Sequence, residues 1–587
     1  MSRTHPGRIA ACLLASITLT AALHAQRGRP VIPLVITGAT LIDGRGTAPA
    51  PNTTIVMEGP RITAVGPAAS IQIPANARTI NAAGRFVIPG LIDGHTHWRG
   101  WMGELFLNYG VTSIVDRGNP TDWILAARDA EIGGIIRGPR IFTAAGAIGH
   151  RRPGEAGGGT GSPPYMSYID GAASARSAAR ALIAKGPDVI TLSGDLALEE
   201  YRAVVDEAHK VDVPVFGDAD DVSAFIEAGV DGITGLRGVS ASLMTPENRT
   251  RYRAGKIATP HAWIEPDRID ALVSLMVRRG TFLSPSLVGD HGGALPKAHQ
   301  FEMAEYDLLM RPELRYVPLT ATLTSLNFWH ALPTHSEAAG SYPFVEMASP
   351  QVLEEFRRGY EKAQEFTRRF AKAGGRLFIG TGAGAAASVP GLSVHEELEL
   401  LVDAGLTPMQ ALVAATRVAA ETIKKDDKLG TIAPGKLADL VVLDADPLAD
   451  IRNARKISTL IKNGQIADTG FHRDYHTDFA EVEDIGVTGA THPVPVVTDV
   501  ISKTLNQMSQ VIHDGSPFEL VVRGSGFHGS SLVELNGRPL ETTFVSRSEL
   551  RAKVPTERIP VEGTYTVAVF TPWPGGGRSN IKALPVK

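Results

Sequence analysis

The chain has 587 residues, which is too long for one ordinary hydrophobic core, so at least two domains are expected. Its 58 Lys and Arg residues nearly balance its 62 Asp and Glu residues, giving a formal net charge of -4. This balance argues against nucleic acid or a membrane surface as the partner. A hydrophobic fraction of 43% is typical of a soluble α/β protein.

The first 25 residues are predicted to form a secretory signal peptide. Arg3 and Arg8 precede an uncharged apolar run at 9–23, and Ala25 ends the segment. The run of about 15 residues is shorter than the ~20 that a membrane-spanning helix needs. We therefore expect cleavage after Ala25, export to the periplasm or the extracellular space, and no membrane span in the mature chain.

The single cysteine of the chain, Cys12, lies inside this segment. The residues Ile9-Ala10-Ala11-Cys12 resemble a lipoprotein cleavage box, but no hydrophobic region precedes them, which argues against lipidation. The mature chain would then contain no cysteine. Neither a disulfide nor thiol catalysis is expected.

Residues 31–88 contain short strand-like runs separated by Gly, Pro and Asn turns, which predicts a sheet-forming segment. The run ends at Pro89-Gly90, and a second short strand follows that carries His95 and His97. Residues at i and i+2 of a strand lie on the same face. Two imidazoles on one face are typical of the first two ligands of a divalent cation such as zinc.

Between residues 111 and 379, apolar strand-like runs alternate with helix-like runs. Strands separated by helices predict parallel β-α-β units, and about eight such units predict an α/β fold with a (β/α)8 TIM-like barrel. The functional site is then expected at the carboxyl ends of the strands. The predicted strands include 111–116, 140–143, 188–192, 213–216 and 376–379, and the predicted helices include 198–211, 267–279 and 351–373.

Two segments are predicted to lie over the mouth of this barrel. Residues 285–350 hold few periodic runs and several aromatic residues, which is typical of a long insert that covers a substrate. A Gly-rich loop at 145–165 contains His150, and these surroundings favour a mobile surface position over a ligand. Substrate specificity is expected to lie in these two segments.

Residues 493–587 have an all-β pattern in which short alternating strands predict an Ig-like sandwich of about 90 residues. Gly524-Ser525-Gly526-Phe527, Asn536-Gly537 and the run at 575–580 resemble motifs of an IPT/TIG immunoglobulin-like domain. The resemblance implies a domain that binds or spaces rather than catalyses. A protein or carbohydrate partner is expected for it.

The remaining motifs bracket most of the chain. They are GATLIDG at 38–44, GPRITAVG at 59–66, PGLIDGHTH at 89–97, AGLTP at 404–408 and LGTIAPGKLADLVVL at 429–443. Together they closely resemble the opening and closing segments of amidohydrolase-superfamily enzymes, in the imidazolonepropionase-like and prolidase-like branch.

The resemblance implies both an architecture and a chemistry. Residues 26–88 and 420–487 are expected to pair into a composite β-sandwich that flanks a barrel at 89–419. In that branch a metal-activated hydroxide attacks an amide or related carbonyl, and an Asp at the end of the last barrel strand moves the proton. The expected activity is hydrolysis of carbon–nitrogen bonds other than peptide bonds in a small-molecule substrate.

Several residues of the branch's usual ligand set are replaced in this sequence. Thr191 stands where the branch has a Lys, and because threonine cannot carry a carbamate, a bridged binuclear centre is not supported. Asp218 stands where the branch has a third His, and Asp can still bind zinc. Gly235 stands at the fourth His position and Gly382 at the position of the catalytic Asp.

Three other histidines are weaker candidates for ligands. His261 is near the barrel strands but precedes a helix-like run. His209 lies within a helical pattern and is expected to be a capping or packed residue. His395 is expected at the barrel mouth, without an assigned role.

One hypothesis is an active or relic hydrolase that binds one divalent cation, zinc or similar, on His95, His97 and Asp218. Its catalytic residue is unknown because Gly382 occupies the expected position. A general base would have to be supplied by another carboxylate, and the candidates are Asp116, Asp195 and Asp220.

The alternative hypothesis is a catalytically inactive relative that acts as a small-molecule-binding or interaction protein. Gly235 and Gly382 motivate it, because glycines in place of charged side chains leave a roomier and more apolar pocket.

Overall fold

The structure of the chain is a computed structural model. Several residues and segments named in the sequence predictions lie outside the described residues. They are the signal peptide at 1–25 with Cys12, Asp195, Asp220, most of the loop at 145–165 and part of the insert at 285–350. No helix in the described part of the chain is long and apolar enough to cross a membrane. The described residues are 32–150, 165–194, 196–219, 222–290, 296–318, 321–322, 349–384, 388–473, 475, 494–502, 516–559, 562–571 and 576–586.

Strands dominate both ends of the described chain and alternate with helices between them. In chain order they are β1 (Leu34–Leu41), β2 (Ala50–Glu58), β3 (Arg61–Pro67), β4 (Arg78–Asn81), β5 (Phe86–Pro89), β6 (Leu91–Thr96), β7 (Val111–Asp116), β8 (Arg140–Thr143), β9 (Ala147–Gly149), β10 (Met166–Tyr168), β11 (Ile190–Ser193), β12 (Val215–Gly217), β13 (Gly232–Thr234), β14 (Phe282–Ser284), β15 (Arg376–Leu377), β16 (Leu440–Leu443), β17 (Ile457–Lys462), β18 (Gln465–Ala467), β19 (Val496–Ser502), β20 (Phe518–Ser525), β21 (Leu532–Leu535), β22 (Arg538–Pro539), β23 (Glu541–Ser546), β24 (Glu549–Val554), β25 (Gly563–Thr571), β26 (Gly577–Arg578) and β27 (Lys582–Val586).

The helices fall between residues 103 and 421, where the sequence predicts alternation. They are α1 (Gly103–Asn108), α2 (Thr121–Ile132), α3 (Ala172–Ile183), α4 (Leu198–His209), α5 (Val222–Glu227), α6 (Arg237–Leu243), α7 (Pro246–Arg253), α8 (Pro266–Arg279), α9 (Leu287–Asp290), α10 (Ala298–Leu309), α11 (Pro350–Lys372), α12 (Leu392–Asp403), α13 (Pro408–Ala414) and α14 (Arg417–Glu421).

Strands from the two flanks of the helical region pair in one eight-stranded sheet. Its order is β18-β17-β16-β5-β1-β2-β3, and β4 pairs with β1. Strand β16 runs antiparallel to β5, with Val441 opposite Ile88. The Gly90 amide donates to the Asp439 carbonyl at 2.8 Å, so the sheet holds the chain where β5 leads into β6. The start of the histidine-bearing strand is therefore fixed by this pairing.

The parallel strands form two sheets rather than the single closed barrel that the sequence predicts. One has the order β6-β7-β8, and the other has the order β10-β9-β11-β12-β13-β14-β15. One backbone hydrogen bond joins them at the first junction, from Asp188 N to Thr143 O (2.8 Å). At the second junction the 379–383 segment runs along β6, with hydrogen bonds from Gly94 N to Ile379 O (2.7 Å), from Gly382 N to His95 O (2.8 Å) and from His97 N to Ala383 O (2.7 Å). Ladder pairing is interrupted at the second junction because β15 has only two residues and Gly382 then turns the backbone to a φ of +71°.

Aromatic rings fill the space that the parallel strands enclose. Phe216 lies 6.0 Å from Phe282 and 5.7 Å from Phe378, measured between ring centroids, and all three are buried in one cluster. Residues two positions further along a strand point to the same side. Ser284 and Gly380 therefore follow these rings toward the carboxyl ends of their strands. The rings form an apolar floor below a layer of smaller and polar residues.

The C-terminal region consists of two antiparallel sheets around a core of its own. One has the order β19-β20-β24-β23, and the other has the order β22-β21-β25-β26 with β27 paired to β25. The predicted all-β region is thus present, whereas its assignment to the IPT/TIG class stays a prediction. The shared core contains Val497, Leu520, Val522, Phe527, Val533, Leu550, Val567 and Val569.

Candidate functional site

His95 and His97 lie side by side at the carboxyl end of β6. Their ring centroids are 5.4 Å apart with an interplanar angle of 48°, and both residues are partly exposed. The Nδ1 atom of His97 lies 3.3 Å from the Gly118 carbonyl oxygen. A carbonyl can only accept, so this contact places the proton on Nδ1 and leaves Nε2 with its lone pair. The predicted pair of imidazoles on one face is therefore present.

Asp93 anchors the strand that carries the two histidines. The Thr381 hydroxyl donates to Asp93 Oδ2 at 2.6 Å, and the amides of Thr381 and His95 donate to Oδ1 at 3.0 and 3.2 Å. Burial raises the pKa of Asp93 to about 6 even though these hydrogen bonds and the charge of Arg117 lower it. Because both carboxylate oxygens are used, Asp93 holds β6 against the segment that contains Gly382.

Arg117 is a buried charge that the sequence analysis missed. It follows β7 directly, is 2% exposed, and donates from Nε to the Gly94 carbonyl at 2.8 Å. Its guanidinium carbon lies 4.5 Å from the centroid of the Phe216 ring. Neither Nη1 nor Nη2 has a hydrogen-bond partner among the described residues. Four of its five N–H donors are thus unused inside the protein.

The charge of Arg117 acts on both histidines. Burial is the main cause that lowers the pKa of His97 to about 4, and the charges of Arg99 and Arg117 lower it further. Burial, His97 and Arg117 together lower the pKa of His95 well below its usual value. Both imidazoles are therefore neutral at physiological pH. Burial also lowers the pKa of Arg117 itself to about 9, against the opposing effect of Asp116 and Asp93.

Asp116, predicted as one alternative base, is buried at the end of β7. Its Oδ2 accepts from the Trp98 amide at 2.8 Å and from Asn119 Nδ2 at 2.6 Å. Burial raises its pKa to about 6. Its Oδ1 is buried without a hydrogen-bond partner among the described residues, so no hydrogen bond joins Asp116 to Arg117.

The three substituted positions lie on or just beyond parallel strands: Gly235 follows β13 directly, and Gly382 follows β15 after four residues. Thr191 is on β11, and its hydroxyl is buried without a hydrogen-bond partner in the described part of the chain. Gly235 has a φ of +90° and Gly382 a φ of +71°, values that residues with a side chain rarely adopt. Glycine at these two positions therefore follows from the backbone conformation as well as from the lost ligand.

Asp218 is the predicted third ligand beside the two histidines. It follows the end of β12 and is exposed, whereas Phe216, two residues earlier, is fully buried. No group of three or more His, Cys, Asp or Glu side chains able to hold a metal occurs among the described residues. The set of His95, His97 and Asp218 therefore stays a prediction, of which the structure brings the two histidines together.

The other histidines have partners outside this site. His261 lies in the 3-10 helix Pro260–Trp263, with Nδ1 2.7 Å from Ser240 Oγ. His209 Nε2 lies 2.9 Å from Asp231 Oδ2 on the protein surface. The two remaining contacts are His150 Nε2 to Glu200 Oε1 at 3.0 Å and His395 Nε2 to the Tyr109 carbonyl at 2.8 Å.

The residues around the histidine pair do not fit the metal centre that the resemblance implies. A divalent cation bound there would lack a third protein ligand from the described residues. It would also lie near the guanidinium of Arg117, and like charges repel strongly in a buried environment. The fixed positive charge of this site belongs to an arginine of the chain.

Comparison with models of protein families gives one match that covers more than half of the chain. A model of the Amidohydrolase family matches residues 86–467, which include the histidine pair, Arg117, Thr191 and both substituted glycines. The chain therefore belongs to the Amidohydrolase family.

Individual relatives share between 22% and 28% sequence identity with the chain. The chain is 24% identical over 455 residues to adenine deaminase of Rubrobacter xylanophilus, covering 76% of this chain and 58% of that protein. It is 28% identical over 189 residues to imidazolonepropionase of Brevibacillus brevis, covering 30% of this chain and 41% of that protein. Its structure matches molinate hydrolase with a TM-score of 0.54 at 22% identity, covering 75% of this chain and 96% of that chain. The match thus spans 58% of the length of the first of these curated relatives and 41% of the second.

Proposed function

We propose that this protein is a hydrolase that cleaves a carbon–nitrogen bond other than a peptide bond in a small molecule. Members of the Amidohydrolase family catalyse hydrolysis of such bonds, and adenine deaminase is among the similar proteins. The observation that carries the proposal is the pair of partly exposed, neutral imidazoles at the carboxyl end of β6. In this family's fold the site lies at the carboxyl ends of the barrel strands, which we propose the two parallel sheets build together.

The chain's own residues supply a route for the proton. His97 presents an Nε2 lone pair because its Nδ1 is engaged with the Gly118 carbonyl. That lone pair can take a proton from an attacking water and return it to the leaving nitrogen. Asp93, through Thr381 and the His95 amide, holds the strand in position for this transfer. No step is assigned to a metal ion.

A second candidate function is small-molecule binding without catalysis. It is favoured by the exposed position of Asp218 and by the glycines at positions 235 and 382, which supply no acid or base. The alternative keeps the same pocket but assigns it no turnover.

Turnover and metal content decide between the two functions. The purified protein would be offered adenine, a lactam, a substituted urea and a thiocarbamate, each also in a form with a carboxylate next to the bond to be cleaved. Formation of ammonia or of a free amine would be the readout. We expect hydrolysis of at least one class and a loss of 100-fold or more in His97→Gln. His209→Gln is the matched control, because His209 pairs with Asp231 on the surface, and it should keep full activity.

Elemental analysis of the same preparation tests the metal question separately. We expect less than one zinc or manganese per chain after supplementation. One tightly bound ion per chain that is lost in His95→Ala would show that the histidine pair binds metal. Absence of turnover on every substrate class would favour the binding function.

We also propose that the protein is exported, with the C-terminal all-β region as a binding or spacing module. The layout of residues 1–25 supports export, and N-terminal sequencing of the secreted protein would test it. The expected first residue is Gln26.

A further inference from the structure

We propose that Arg117 and Thr191 form an anion site beside the histidine pair, and that this site takes the carboxylate of the small-molecule ligand. The inference rests on the proposed function, because it names the class of substrate that the same site takes. It predicts that substrates carry a carboxylate next to the bond that is cleaved.

Arg117 is a buried cation with unmet hydrogen bonding. Arg117 is 2% exposed, and the one hydrogen bond that its side chain makes within the described part of the chain runs from Nε to the Gly94 carbonyl. Nη1 and Nη2 face no acceptor in the described residues. Leaving donors of a charged group unpaired in the interior is unfavourable, whereas a bound anion satisfies them. A structural arginine would be expected to have these donors paired.

The orientation of the Arg117 guanidinium is fixed. Its carbon lies 4.5 Å from the centroid of Phe216, and Nε is tied to the backbone of β6. Stacking occupies the face of the guanidinium and leaves its two Nη groups at the edge. These groups form a fork that matches the two oxygens of a carboxylate.

The Thr191 hydroxyl is a second donor on the side of the sheet where Arg117 stacks. Thr191 is directly opposite Phe216 in the parallel pairing of β11 and β12, so their side chains lie on one face of the sheet. The Thr191 hydroxyl is buried and, within the described residues, has no partner. It therefore lies on the side of the sheet where Arg117 stacks, and it offers one more hydrogen bond to an oxygen held there.

The carboxylates that act on Arg117 within the chain do not take this role. Both oxygens of Asp93 accept hydrogen bonds from Thr381 and the His95 amide. Asp116 accepts from Trp98 and Asn119 through Oδ2, and its Oδ1 makes no hydrogen bond to Arg117 or to any other described residue. One guanidinium and one hydroxyl also suit a planar monoanion better than a phosphate dianion, which usually requires more positive charge.

Acetate is the simplest probe of this site. Full-length protein treated with EDTA would be titrated with sodium acetate, acetamide and sodium phosphate at constant ionic strength. Binding would be followed by calorimetry and by the shift in melting temperature. We expect acetate to bind and to raise the melting temperature, acetamide to have no effect, and phosphate to bind at least tenfold more weakly than acetate.

Three substitutions localise the effect. Arg117→Met keeps an apolar contact with Phe216 and should weaken acetate at least tenfold, and Arg117→Lys should do the same because it keeps the charge but loses the fork. Thr191→Val should weaken acetate about fivefold. Arg376→Met is the matched control, because Arg376 also stacks on a phenylalanine, with its guanidinium carbon 3.7 Å from the Phe282 ring, but pairs with Glu421 at 2.7 Å. It should leave acetate binding unchanged.

The outcomes separate this inference from the proposed function. Equal acetate affinity in the wild type and in folded Arg117→Met or Arg117→Lys overturns the anion site, as does binding that needs added zinc. Preference for phosphate overturns the carboxylate assignment. A protein that binds acetate through Arg117 but hydrolyses nothing keeps the anion site and loses the hydrolase. Hydrolysis that is equally fast in Arg117→Met keeps the hydrolase and loses the anion site.

Discussion

Glu104 and Arg117 are both buried charges near β6 and β7, but their hydrogen bonding is opposite. Glu104, in α1, accepts from Arg137 Nη1 at 2.9 Å, Tyr316 OH at 3.1 Å, and His472 Nδ1 at 2.7 Å. The His472 amide adds a further bond at 2.9 Å. Arg117 makes one hydrogen bond through Nε and leaves both Nη groups unpaired among the described residues.

The difference separates a structural charge from a binding one. A buried polar group that is fully paired stabilises the fold and has no capacity left for a ligand. Glu104 therefore ties α1 to residues far along the chain at Tyr316 and His472. A buried group that keeps free donors reduces stability until a ligand arrives, and such groups occur at functional sites.

The largest expected effect is a loss of stability when the paired charge is neutralised. Glu104→Gln should lower the free energy of unfolding by about 3 kcal/mol, because it leaves Arg137 and three other donors without an anion. Urea unfolding followed by tryptophan fluorescence would measure it. Glu354→Gln, on the exposed face of α11 beside Arg357, is the control and should change nothing measurable. An unchanged midpoint for Glu104→Gln would contradict a structural role.

Arg117→Met should have the opposite sign. Without ligand it should raise the free energy of unfolding by roughly 1–2 kcal/mol, because an incompletely paired buried charge is replaced by an apolar side chain over Phe216. The same urea titration measures it in acetate-free buffer. A loss comparable to that of Glu104→Gln would place Arg117 in the same structural class and remove the contrast.

Glu396 shows a third outcome for a buried charge, which is to lose it. Burial raises the pKa of Glu396 to about 8, with Arg455 lowering it and Glu399 raising it further. The ordinary pKa of a Glu carboxyl is 4.5, so protonated Glu396 contributes its full share to the stability of the fold below about pH 4.5. This contribution is lost as the pH rises through about 8. Glu396→Gln should therefore match the wild type at pH 4.5 and exceed its stability by roughly 1–2 kcal/mol at pH 9.

Melting temperatures measured from pH 4.5 to 9 would check this slope. Glu354→Gln serves again as the control and should follow the wild-type profile. Parallel profiles for the wild type and Glu396→Gln would show that Glu396 is ionised in the folded protein across this range.

Much of the fold could be predicted from local pattern. Apolar strand-like runs and helical runs predicted β7, β8, α8 and α11 to within a few residues, because burial on one face imposes a period on the sequence. The motifs at both flanks predicted the pairing that the sheet of β5 and β16 shows. Continuity of the barrel was not predictable, since it depends on hydrogen bonds at two strand junctions.

The site was predicted less completely. His95 and His97 could be predicted as a pair because residues two positions apart on a strand lie on the same face. Their rings do lie side by side in the structure. The role of Asp218 stays a prediction, because it is exposed just after β12 and the position of such a residue depends on the path of the following turn. Arg117 was missed because a charged residue after a strand usually faces solvent. The one available clue was its spacing of two from Val115, which is fully buried.

Thr191→Val is the smallest and most discriminating test of the contrast. Valine has nearly the shape of threonine but no hydroxyl, and this hydroxyl has no partner in the described residues. Removing it should raise the free energy of unfolding by about 0.5–1 kcal/mol in ligand-free protein. In saturating acetate the gain should shrink or reverse, because the wild-type hydroxyl then has an acceptor. Melting curves with and without acetate measure both values, and a gain that is the same in the two buffers would separate Thr191 from the anion site and leave Arg117 as its one remaining donor.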